Sequence, residues 1–140
     1  MSRSKWKRIG QFSVLAILSL AVYARTCRVE VTVPSGVEVI GWDEAGDFIG
    51  EYRKVKGPVV RATYASHVAG KPTFLDIGRP FPQTPRFNVV IWGDYRDNFP
   101  IPPEEKYRGQ LIEVRGRIRE HEGTPQIIVQ QPEAISIINH

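Results

Sequence analysis

The chain has 140 residues, 41% of them hydrophobic and 24% charged, which leaves room for one globular domain rather than two and speaks against disorder. Its single cysteine, Cys27, excludes an intrachain disulfide and a cysteine-based metal site, and His67, His121 and His140 lack any ligand spacing, so no metal or other cofactor is expected. The formal charge is +4, but four basic and no acidic residues lie in the first 24; the other 15 basic and 15 acidic residues balance, so the high isoelectric point says little about partners.

Residues 1–24 open with Arg3, Lys5, Lys7 and Arg8 and continue into an uncharged, largely apolar run from Phe12 to Ala24. Val22-Tyr23-Ala24 then offers a small residue at the position a signal peptidase cuts after. The layout is that of a secretory signal segment, and the run is short for a bilayer span, which needs about 20 apolar residues. Cleavage, retention as a membrane anchor and lipid attachment at Cys27 all remain open. Arg25, two residues before the cysteine, disfavours the last. The expected location is periplasmic or secreted, with membrane attachment only if the segment is retained.

Residues 25–41 form an extended lead-in, with a short strand over 28–33, where Val29, Val31 and Val33 alternate with polar residues. A domain follows over 42–140. Residues 42–50 predict a short helix with Asp43 as its N-cap and Gly50 just past its end. Ala45, Phe48 and Ile49 would form its apolar face. Strand signals dominate afterwards. Residues 51–67 form a long first strand, bent to accommodate Gly57-Pro58. Strands at 72–77 and 86–92 follow, separated by a Pro-rich loop. Residues 93–106 are irregular, with a helical turn near 94–99. A fourth strand at 111–120, a hairpin turn at Gly123, a fifth strand at 126–130 and a closing segment at 134–138 complete the chain. Short strands at this spacing suit a small closed β-barrel.

Four stretches carry a likeness: Phe48-Ile49-Gly50-Glu51-Tyr52, Gly70-Lys71-Pro72-Thr73-Phe74-Leu75, Phe87-Asn88-Val89-Val90-Ile91-Trp92, and Val114-Arg115-Gly116-Arg117-Ile118 followed by Gly123-Thr124-Pro125-Gln126-Ile127. In this order they resemble a bacterial OB-fold nucleic-acid-binding domain family, which includes small exported proteins and modules attached to nucleases. The resemblance covers residues 42–138. It implies an all-β fold, a five-stranded OB-type barrel with a short helix, preceded here by the N-terminal signal or anchor helix. It also implies a nucleic-acid ligand.

No catalytic motif accompanies it. No serine lies in a G-x-S-x-G context, no Gly-rich phosphate loop occurs, and nothing matches the catalytic residues of the thermonuclease family. Asp94 and Asp97 read as a solvated turn. No catalytic residue and no enzyme activity are expected.

A binding face is easier to assemble. If Leu75, Ile77, Phe87, Val89 and Ile91 fill the core, Phe74, Asp76, Asn88, Val90 and Trp92 point the other way. Single strands are held by aromatic platforms with cations along the phosphates. The candidate nucleic-acid-binding residues are therefore Arg61, Lys71, Phe74, Arg79, Arg86, Trp92 and Arg96. Residues 52–119 hold 13 basic and 6 acidic residues, which reads either as a basic face or as an ordinary mixed surface. Arg115, Arg117 and Arg119 share one face of the fourth strand, diluted by Glu113. Two functions follow: a non-catalytic module for single-stranded DNA or RNA outside the cytoplasm, or a protein-interaction or structural module of the cell envelope.

Overall fold

The computed structural model describes residues 36–139. The expected signal segment, Cys27 and the strand at 28–33 lie outside the described residues. What is described is mostly β, with few short helices, and is consistent with an OB-like fold. The strands are β1 (Val39–Gly41), β2 (Tyr52–Tyr64), β3 (Thr73–Ile77), β4 (Phe87–Ile91), β5 (Leu111–Arg117), β6 (Arg119–His121), β7 (Thr124–Ile128) and β8 (Ile135–Ile137). They form an eight-stranded sheet in the order β6-β7-β4-β3-β2-β5-β8, with β1 parallel to β2. Five strands were expected. The surplus comes from the short β1, from β8, which is the closing segment expected at 134–138, and from an interruption at Ile118 that divides the fourth expected strand into β5 and β6.

β2 carries the architecture. Its first half, Tyr52 to Pro58, pairs with β5, and its second half, Val59 to Tyr64, pairs with β3. The changeover falls where Pro58 has no N–H to donate. The register shifts between Val59 and Arg61, so Val60 is an extra residue and lies 44% exposed. The core is the one the alternation predicts: Leu75, Ile77, Phe87, Val89 and Ile91 are each at most 1% exposed.

The helix expected over residues 42–50 is a 3-10 helix, Ala45–Phe48. Its cap residue is Glu44 rather than Asp43, and the Glu44 carboxylate accepts from the Gly41 N–H at 2.8 Å. With three residues per turn, Ala45 and Phe48 share a face toward the core, whereas Ile49 falls off it and is 39% exposed. Trp42, just before this helix, rests on two glycines. A Cβ on Gly57 would meet its ring at 2.7 Å and one on Gly78 at 2.2 Å.

Between β4 and β5 run a 3-10 helix, Gly93–Asn98, and a single helical turn, α1 (Pro103–Lys106). Arg96 ties the two together. Its guanidinium donates from Nη1 and Nη2 to both Glu104 carboxylate oxygens at 2.7 and 2.6 Å, and from Nη1 to Thr73 Oγ1 at 3.0 Å. It also lies 3.8 Å from the Tyr64 ring centroid. The hydrogen bonds from Arg96 hold the Glu104 carboxyl below the usual carboxylate range. A depressed carboxylate stabilises the fold above its unfolded value of about 4.3, and that contribution disappears as pH falls through the folded value. Glu104→Gln is therefore expected to lower stability by about 2 kcal/mol at pH 7, with the difference shrinking on acidification. Denaturant melts of both proteins from pH 7 down to about pH 3 check this, and a pH-independent difference would refute the assigned role.

Candidate nucleic-acid interface

The face of β2, β3 and β4 opposite the core carries a groove of about 390 Å³. Its floor follows from the register. Arg61 stands opposite Asp76, and Asp76 opposite Asn88; one step along, Thr63 stands opposite Phe74. Three segments raise its walls: His67 from the loop between β2 and β3, Phe81 and Arg86 from the loop between β3 and β4, and His121 at the end of β6 with Glu122 from the turn that follows it.

The loop between β3 and β4 is built to present an aromatic ring. The Asp76 carboxylate, only 5% exposed, accepts from the Phe81 N–H at 3.0 Å, which anchors the loop at that residue. With its nitrogen turned inward, the Asn88 carboxamide donates to the other Asp76 oxygen at 3.3 Å. The Phe81 ring is left 62% exposed, the most exposed large apolar side chain among the described residues. The Arg86 guanidinium lies 5.1 Å from the centroid of that ring. Its Nη1 makes long contacts to the carbonyls of Pro82 and Gln83 at 3.5 and 3.4 Å, while its Nε is buried with no partner among the described residues. An exposed ring with a cation against it offers a base both a stacking surface and charge.

Of the residues expected from sequence, Arg61, Phe74 and Arg86 meet in this groove. Arg61 is exposed and has no carboxylate partner among the described residues. The other four lie elsewhere. Lys71, at φ 46°, turns toward a separate concavity that it shares with Tyr64, Arg96, Asp94 and Asp97. Arg96 is occupied by Glu104. Arg79 is exposed on the loop between β3 and β4 and donates to the Thr84 carbonyl at 2.7 Å. Trp92 is 37% exposed and borders a third concavity with Arg117 and Arg119.

Phe81, His67 and His121 escaped the sequence reading. Phe81 sits in the Pro-rich segment Arg79-Pro80-Phe81-Pro82, and an apolar ring flanked by prolines in a loop is the signal that marks it. The histidines carry no such signal, because only the pairing of β6 with β7 and the path of the loop after β2 bring them to the groove. The groove holds Arg61 and Arg86 against Asp76 and Glu122, so its formal charge is balanced with the histidines neutral. Among the described residues no cluster of three or more His, Cys, Asp or Glu is placed to hold a metal ion, and no helix is long and apolar enough to cross a membrane.

No protein-family model matches the chain, and no curated protein matches it. Among solved structures it is similar to the aspartyl-tRNA synthetase of Entamoeba histolytica, at 9% identity and a TM-score of 0.48, over 79% of this chain and 23% of the synthetase. It is also similar to the asparaginyl-tRNA synthetase of the same organism, at 18% identity and a TM-score of 0.45, over 71% of this chain and 23% of that one. The chain thus spans about a quarter of the length of these synthetases.

Proposed function

We propose that the chain is a non-catalytic binding module for single-stranded nucleic acid, built on an OB-type barrel and acting outside the cytoplasm. The barrel reading rests on β5 and β6, which are one strand interrupted at Ile118: β5 pairs with β2, β6 pairs with β7, and β7 lies parallel to β4. The location rests on the basic and apolar segment at residues 1–24.

The observation that carries the binding reading is Phe81, 62% exposed at the rim of the groove, with Arg86 against its ring and Phe74 on the floor beside it. OB barrels take single strands across this region of the sheet, between loops, and aromatic rings there stack on bases of any sequence. Arg61 and Arg86 supply the charge for the backbone. The one carboxylate on the floor, Asp76, is engaged by Phe81 and Asn88, which gives it a structural task rather than that of a catalytic base.

A labelled single-stranded oligonucleotide titrated with the purified chain at several salt concentrations tests the proposal. Saturable binding that weakens steeply as salt rises is the expected result. The charge balance of the groove favours one other reading, a protein-interaction or structural module of the cell envelope that seats a partner segment around Phe81. That reading predicts no oligonucleotide binding even at low salt. Its partner would instead be sought by cross-linking from a photoreactive residue at position 81.

A further inference from the structure

Beyond the groove, the same face of the sheet continues across β7 and β6 to a concavity of about 290 Å³ bordered by Trp92, Tyr95, Arg117, Arg119, Ile128 and Gln130. Two arginines and two aromatic rings line it, with no carboxylate. Its charge suits a phosphodiester better than the balanced groove does.

The strand register joins the two. One row runs Arg61, Asp76, Asn88, Gln126, Arg119, residue opposite residue across β2, β3, β4, β7 and β6. Its first three members border the groove and its last borders the second concavity. A parallel row runs Thr63, Phe74, Val90, Ile128, from the groove to the same concavity. Val90, at its centre, is 2% exposed and offers a ligand no surface, so the crossing between the two ends is left to the half-buried, uncharged Asn88 and Gln126 of the first row. Five adjacent strands span about 19 Å.

The side chains at the far end are held ready. Arg117 donates from Nη1 to the Gly50 carbonyl, which fixes its guanidinium. Arg119 is exposed with no carboxylate partner among the described residues. The Trp92 ring lies against the backbone of Gly70, where a Cβ would meet it at 3.0 Å, and is still 37% exposed.

We propose that the Trp92–Arg119 concavity is a second subsite, so that one extended single strand crosses the sheet from Phe81 to Trp92, with a phosphate at Arg119 and a base at Trp92. This rests on the nucleic-acid reading and adds a polarity of charge to it: the strand's electrostatic hold lies mainly at the Arg117–Arg119 end, and its stacking hold mainly at the Phe81 end.

The test uses the full chain with oligonucleotides of about 4 and about 12 nucleotides, within the range a single OB fold accommodates. Expected results are tighter binding of the longer strand, quenching of tryptophan emission by it, and loss of that quenching in Trp92→Phe. Arg119→Ala should weaken the longer strand by about tenfold and lower its salt slope by about 1. If Arg119→Ala and Trp92→Phe behave as the parent toward both lengths while Phe81→Ala weakens binding, the second subsite is overturned and the groove stands. If the parent chain binds neither length at low salt, the nucleic-acid reading fails first and the subsite with it.

Discussion

Gly78→Ala is expected to lose about 2–5 kcal/mol of folding stability, the sum of a left-handed backbone forced on a residue with a Cβ and the displacement of a packed indole. Gly78 has φ +81°, and a Cβ there would stand 2.2 Å from the Trp42 ring. Neither strain can be relieved alone. Turning the backbone to negative φ would disturb the bond from the Gly78 N–H to the Pro58 carbonyl, 2.9 Å long. Moving Trp42 is opposed by Gly57, which the same ring covers from β2. For a domain of this size the loss corresponds to a fall in Tm of roughly 10–25 °C. Gly46→Ala is the control, because a Cβ there meets nothing within 4 Å and its φ lies outside the left-handed range. Thermal unfolding of the two variants decides the matter. Equal Tm values would mean that Trp42 does not seat on Gly78 in solution.

The largest expected effect on binding comes from removing both rings of the groove. Stacking contributes about 1–3 kcal/mol per base, so Phe74→Ala with Phe81→Ala should weaken a single strand by roughly 30-fold to 10⁴-fold. The two sites differ in what else they do. Phe81 is 62% exposed, so its truncation should leave Tm almost unchanged. Phe74 is half-buried between Thr63 and Val90 in register, and Phe74→Leu is the gentler partner in a comparison series. Anisotropy titrations of the single and double variants, each paired with a melt, separate lost binding from lost folding. A double variant that still folds and binds like the parent would rule out base stacking in this groove. The defect should persist at high salt, since stacking releases no counterions, whereas Arg86→Ala should lower both affinity and salt slope.

The pattern of apolar residues determined the core. Period-two alternation puts Thr73, Leu75 and Ile77 on one face of β3 and Phe87, Val89 and Ile91 on one face of β4, and all six are buried. The same arithmetic placed Phe74 and Asn88 opposite them. Where alternation breaks, so did the sequence reading. The extra residue at Val60 puts both Val60 and Arg61 outside, and Ile118 divides one expected strand in two. The short helix at Ala45–Phe48 is tighter than an α-helix, which turned Ile49 outward.

Which cations remain free to meet a ligand was decided only by tertiary structure. Arg61, Arg96 and Lys71 are equivalent in sequence: each is a cation on or beside a predicted strand. Arg96 is captured because the chain reversal after β4 brings Glu104, eight residues on, and Thr73, 23 residues back, to one guanidinium. Lys71 is turned aside by its left-handed backbone. The exposed ring at Phe81 exists because Asp76, five residues earlier, holds the Phe81 N–H. Local alternation is a property of consecutive residues and survives any arrangement of strands. The pairing of a charge, or the uncovering of a ring, depends on which distant segments the strand pairings bring beside it.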